Sequence, residues 1–238
     1  MAFVAHQACL LDSVERWLVY SLSHYRRAFD MLVPVSAPWA QVTLYYSSFF
    51  AANALLGMFG GWVGSANRRV RVVDVERGIP GDQELKIHRK FKSPSGASGS
   101  HHFFWDVFYD ATASISAWAP LELAAAFVPV NGDVAWQIKQ RNSVNYDMYY
   151  AWASSMDFGK TFRPTKLSRL AGPARLQLDT TERMIRIALH FAQTFALAGE
   201  GLSGSGIEGS RLHKQRRLVT TATPNLVKES ALADLLSI

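Results

Sequence analysis

Tyr45-Tyr46-Ser47-Ser48-Phe49-Phe50-Ala51-Ala52-Asn53-Ala54-Leu55-Leu56 sits inside a run, Trp39 to Asn67, that carries no charged residue. The fold turns on how that run is read. Such a segment can be buried in a bilayer or at the centre of a helical core, and Arg68 and Arg69 follow it as the positive flank of a membrane span would. Gln41, Thr43, Ser47, Ser48 and Asn53 make a poor lipid-facing surface, and glycines crowd its end. The reading adopted is a central helix from about Ser36 to Phe59, apolar around its whole axis because neighbours pack on several sides. Ser36 is its candidate N-cap, Pro38 lies in its first turn, and Gly60 and Gly61 end it.

On the N-terminal side, Leu10, Val14, Trp17, Leu18, Tyr25, Phe29 and Leu32 recur at helical spacing, with Asp12, Glu15, Arg26 and Arg27 mostly off that stripe. This predicts a first helix over 8–32, stopped by Pro34. On the C-terminal side the period changes. Arg69 to Val75 and Glu84 to Phe91 alternate polar and apolar residues around Gly78, Pro80 and Gly81, which predicts a β-hairpin inserted over 68–92. After a Pro/Gly/Ser-rich loop, an aromatic helix over about 101–118 carries Phe103, Phe104, Trp105, Phe108 and Tyr109. A short apolar helix is expected around 121–127.

Read as one helix, Asp133 to Trp152 places Val134, Ile138, Met148, Tyr149 and Trp152 on one stripe, and Arg141 and Asn145 fall inside it. Lys160 to Pro173 reads as irregular. A last core helix is expected to start at Asp179, whose spacing to Glu182 fits a capping box, and to bury Met184, Ile187, Ala188, Phe191 and Phe195. Gly199 to Gly209 is a Gly/Ser linker, followed by a basic tail. The expected architecture is mainly α: a bundle of about five core helices over 1–198 with the hairpin insertion, then a flexible tail over 199–238.

The chain, 238 residues with 49% hydrophobic and 12% aromatic residues, is too apolar for general disorder. One cysteine, Cys9, can form neither an internal disulfide nor a cysteine metal cluster, which points to a reducing compartment, the cytoplasm. Met1 to Ala8 does not resemble a secretory signal. A net charge of +6 and a pI near 9.5 favour polyanionic partners. No glycine-rich phosphate loop, nucleophile elbow, His-Glu-x-x-His, Cys-x-x-Cys or carboxylate cluster occurs, so neither a metal nor a cofactor is expected.

A guanidinium facing inward is costly unless something pairs with it. Arg141 therefore either meets a core carboxylate, such as Asp106, Asp110 or Asp147, or lines a cleft that receives an anion. Asn142 and Asn145 either orient that group or bond backbone carbonyls at a helix end. His101 and His102 are either an exposed first turn or a source of imidazole, and His88 is a third.

The Tyr45–Leu56 segment resembles the second helix of HEPN proteins, a family of all-helical domains. The run Arg141-Asn142-x-x-x-Tyr146 resembles their motif of an arginine followed by histidine. That resemblance implies metal-independent RNA cleavage, with arginine near the scissile phosphate, histidine in proton transfer and a two-fold dimer. Arginine suits the first role because it stays charged and binds phosphate bidentately. The departure is Tyr146, which stands where histidine could be, and a phenol is a poor base at neutral pH.

Arg68, Arg69, Arg71, Lys86, His88, Arg89, Lys90 and Lys92 concentrate positive charge on the hairpin, as a nucleic-acid arm would, although edge lysines also keep exposed strands soluble. Arg211, His213, Lys214, Arg216 and Arg217 repeat that choice in the tail.

The expectation is a HEPN-like ribonuclease or RNA-binding protein of a prokaryotic defence or toxin-antitoxin system. It would be a homodimer without membrane contact, with RNA and an antitoxin or defence-complex protein as partners. Arg141, Asn142, Asn145, Tyr146, His101 and His102 would form its site. The alternative is a non-catalytic scaffold subunit of the same fold that binds nucleic acid, nucleotide or protein.

Overall fold

Helical periodicity at the start of the chain closes into α1 (Ala2–Leu32), and the charge-free run forms α2 (Ala37–Met58). The structure, a computed structural model, describes residues 2–32, 37–59, 61–66, 69–75, 85–88, 99–116, 124–147 and 172–197. Beyond α2 come β1 (Trp62–Ala66), β2 (Arg69–Val75), β3 (Leu85–His88) and α3 (Ser100–Ser116). A 3₁₀ turn over Val130–Gly132 leads into α4 (Trp136–Tyr146), and α5 (Gly172–Leu197) closes the described bundle. The fold is mainly α.

α2 packs along α1 and α5 and touches α4 and α3, so every side of it meets protein. That explains why its apolar residues surround the axis and why Ala40, Leu44, Ala51, Ala52, Ala54 and Leu55 are all buried. No helix among the described residues is long and apolar enough to cross a membrane. The largest sealed side chains are Trp105, Tyr25, Tyr45, Phe29 and Phe108, each worth roughly 2 kcal/mol or more of burial.

Small polar residues of α2 are used at the helix contacts. Ser21 Oγ donates to the Ser47 carbonyl at 2.8 Å and Ser47 Oγ donates back to the Ser21 carbonyl at 2.7 Å, a reciprocal clasp between α1 and α2. On the opposite side, Ser48 Oγ donates to Gln137 Oε1 of α4 at 2.6 Å. Gln177 Nε2 of α5 reaches the same oxygen at 3.3 Å, and Thr181 Oγ1 donates to the Gln177 carbonyl at 2.7 Å. Burial raises the pKa of Tyr109, an effect opposed by Trp136 and Gln137 at its hydroxyl.

Several local expectations are corrected. Glu15, placed off the stripe of α1, is only 2% exposed, because α2 and α5 both cover that helix and widen its buried face. The last helix starts at Gly172 and not at Asp179. Gly172 takes a left-handed φ of 59° and Pro173 follows at the next position, where a missing N–H costs nothing. Asp179 then lies within the helix, bonded to Arg175 Nε at 2.7 Å, and Glu182 is buried as the acceptor of the Tyr25 hydroxyl at 2.6 Å. The inserted hairpin is a three-stranded antiparallel sheet in the order β1-β2-β3, since β1, directly after α2, pairs with the free edge of β2. Of the short helix expected around 121–127, residues 124–127 are described and end in a turn, with the Phe127 amide bonded to the Ala124 carbonyl at 2.9 Å. Residues 121–123, the turn at 76–84, the stripe positions Met148, Tyr149 and Trp152, and the tail over 198–238 lie outside the described residues.

Candidate functional site

α4 is shorter at both ends than the pattern suggested. Asp133 precedes it, accepting from the Ala135 amide at 3.0 Å and from Lys139 Nζ at 2.8 Å, and these bonds hold its carboxyl below the usual carboxylate range, Lys139 first. The helix ends at Tyr146, with the Asp147 amide bonded to the Ser143 carbonyl. Within it, Gln137, Ile138 and Val144 are buried, and Arg141 is half-buried at the edge of that face.

Arg141 lies against α2. Its Cζ stands 5.3 Å from the centroid of the Tyr45 ring, a cation–π contact. Nη2 and Nε both donate to Asn142 Oδ1, at 2.7 and 3.2 Å, and Nη1 reaches the Tyr46 hydroxyl at 3.4 Å. Among the described residues Arg141 forms no ion pair. Of the two readings open for this guanidinium, the core-carboxylate one is therefore not what the described residues show. The neutral amide of Asn142 holds one edge of the fork, and no described carboxylate balances its charge.

α3 supplies the imidazole. His101 Nδ1 lies 2.8 Å from the Tyr45 hydroxyl, which also receives the Trp105 indole N–H at 3.3 Å. Tyr45 is buried, and among its described neighbours His101 Nδ1 alone can accept its proton. The phenol therefore donates to Nδ1 and places the neutral imidazole proton on Nε2. Burial pushes Tyr45 up to about 12, so it remains a donor at every physiological pH. Burial, and then the Arg141 charge, hold His101 below the usual histidine range. Phe49 lies tilted against the imidazole with centroids 4.6 Å apart, and Tyr46 meets it edge-on at 5.9 Å.

The site is thus a half-buried patch in which Arg141 and His101 lie over and beside the rings of Tyr45, Tyr46 and Phe49. Arg141, the His101 Nε2–H and the Tyr46 O–H are its hydrogen-bond donors. Donors gathered where no carboxylate pairs with Arg141 among the described residues suit an anion with several oxygens. Among the described residues no group of three or more His, Cys, Asp or Glu is placed to hold a metal ion.

The expected site residues divide accordingly. Arg141, Asn142 and His101 come together. Asn145 is exposed, and Tyr146 is 80% exposed, about 140° around the helix from Arg141. His102 is half-buried and adds its charge to the Asp133 environment. On the sheet, Arg69 and Arg71 occupy β2 positions paired with Ala66 and Gly64, whereas Lys86 and His88 of β3 pair with Asp74 and Val72 of the other parity. Arg68, Arg89, Lys90 and Lys92 lie outside the described residues, as do Arg211, His213, Lys214, Arg216 and Arg217. The sequence marks Tyr45 and Tyr46 as helix residues only; the contact of Tyr45 with a histidine 56 positions away is a tertiary fact.

No family model matches the chain, and no curated protein or solved structure matches it either.

Proposed function

We propose that the protein is a HEPN-like, metal-independent ribonuclease of a prokaryotic defence or toxin-antitoxin system, with Arg141 as the phosphate-binding group. The observation that carries this reading is the half-buried Arg141 guanidinium, unpaired with any carboxylate among the described residues and set beside an imidazole over aromatic rings. Arg141 and Tyr46 hold the phosphate oxygens and Asn142 orients the fork. In the cleavage step the ribose 2′-hydroxyl loses its proton to solvent water as its oxygen bonds to phosphorus, and the P–O5′ bond breaks. The bound phosphate favours the imidazolium form of His101, which then gives its Nε2 proton to the departing 5′-oxygen.

A second reading has its own support. Tyr146, the motif's proton-transfer position, faces solvent, which suits a non-catalytic member that retains Arg141 for binding.

Purified protein and its Arg141→Ala variant, incubated with cellular RNA, separate these readings. RNA turnover that Arg141→Ala abolishes supports the nuclease. Salt-dependent RNA association without turnover supports the binding module, and identical behaviour of both proteins on RNA removes both.

A further inference from the structure

The aromatic surface continues beyond Tyr46 and Phe49. Tyr20 and His24 stand one turn apart on α1 and meet Phe50 of α2, with ring centroids 5.4 and 5.1 Å apart. His24 is also 6.2 Å from Tyr46, the residue whose hydroxyl contacts Arg141. A continuous strip of rings therefore runs from Arg141 across α2 onto α1. Tyr20 is 52% exposed, and Phe50 and His24 are partly buried.

The His24 tautomer follows from its partner. Nδ1 lies 2.8 Å from the Tyr20 carbonyl oxygen, which can only accept, so the proton is on Nδ1 and Nε2 carries the lone pair. Burial, outweighing the Tyr20 bond, and the nearby Arg27 charge keep the ring below the usual histidine range, hence neutral at pH 7. Arg27 is exposed and forms no ion pair among the described residues. The strip joins the Arg141 guanidinium at the Tyr46 side to the partly exposed rings of Phe50, His24 and Tyr20, with the Arg27 charge near His24 and an acceptor on His24 Nε2. Single-stranded nucleic acid is held by this alternation of cations with stacking faces.

We propose that Tyr20, His24 and Phe50 form a nucleobase subsite, in which one unpaired base stacks on the rings and donates an N–H to His24 Nε2 while the neighbouring phosphate lies on Arg141. The subsite rests on the reading of Arg141 as a phosphate-binding residue. It adds that the ligand must be unpaired, since a base inside a duplex offers no free face.

Fluorescence anisotropy with labelled oligouridylate, the same chain of N3-methyluridine and a matching abasic chain tests it. All three carry the same phosphates. The wild type should bind oligouridylate roughly tenfold tighter than the abasic chain, with N3-methyluridine between them because it lacks the imino donor. Tyr20→Ala should bring oligouridylate down to the abasic level and leave the abasic chain unchanged, and Tyr20→Phe, which keeps the ring, should behave as wild type. Equal binding of oligouridylate and the abasic chain overturns the subsite; if Arg141→Ala then weakens both, the phosphate reading stands without it. Equal binding of oligouridylate and N3-methyluridine overturns the His24 hydrogen bond and the subsite as stated. Binding of none of the three chains removes the subsite and the phosphate reading together.

Discussion

Two polar clusters are built on the same two helices one turn apart, one sealed in the core and the other reaching the surface. Ser48 of α2 and Gln137 of α4 turn inward to Gln177 and Thr181, all of them at least nine-tenths buried and neutral. Tyr46 of α2 and Arg141, one turn beyond Gln137, lie half-buried toward the surface above the sealed Tyr45, which bonds His101. The inner cluster bonds Ser48 and Gln177 to Gln137 Oε1 and so holds three helices in register, while Gln137 Nε2 is buried outside hydrogen-bond geometry. The outer cluster places donors around a charge that no carboxylate among the described residues answers. The difference between them is charge and access to solvent.

The largest effect expected from breaking this contrast is on the outer side. Arg141→Ala should lower RNA cleavage by about 10²–10³-fold, the usual loss when a donor to a transferring phosphate is removed. It should shift the denaturation midpoint by less than about 1 kcal/mol equivalent, because the residue is half-exposed and has no buried ion partner to orphan. Gln137→Ala should do the reverse: a loss of about 2–3 kcal/mol in denaturant unfolding from the cavity and the unpaired Ser48 and Gln177 groups, with cleavage retained well below the melting temperature. If both variants lose stability alike, the division between the clusters fails.

A smaller effect is expected from Tyr45→Phe. It removes the hydroxyl that sets the His101 tautomer while keeping the ring under Arg141, so cleavage should fall roughly tenfold and RNA affinity should hold.

The smallest effects are those of pH, and they run in opposite directions. His101 and His24 are both lowered in the folded state by burial, so the unfolded chain binds protons first as pH falls. Their contribution to stability is complete above the unfolded value of 6.5 and is lost as pH drops through the lowered folded values. His101→Gln should flatten that acid loss in a series of melts. As a proton donor, however, His101 must be charged, so kcat/KM should decline as pH rises through its lowered pKa. A kcat/KM profile that rises there would make His101 a base.

The helices were legible because their apolar residues recur at helical spacing, and α2 in particular because a run without charge has to be surrounded. Their ends were less so. Gly172-Pro173 starts α5 by a left-handed turn that composition alone reads as a loop, and Asp179-Glu182 mimics a cap although one residue pairs with Arg175 and the other with Tyr25. In the site, Arg141 stood out as a charge on an apolar stripe and Asn142 came with it. His101 was visible as a residue, but its distinction from His102 depends on which way two neighbouring side chains leave the same helical turn. His24 carried no local signal, because its tautomer is set by a carbonyl one turn back and its surroundings by Phe50 and Tyr46 of another helix.

The most direct test of Arg141 as the proposed phosphate-binding group is an NMR titration of the side-chain N–H groups with a short single-stranded RNA. The Nε resonance of Arg141 should shift progressively and saturate with the RNA, while the Gln177 side-chain amide of the inner cluster stays in place. RNA that binds without moving the Arg141 signal, or that leaves every resonance unmoved, would contradict the account.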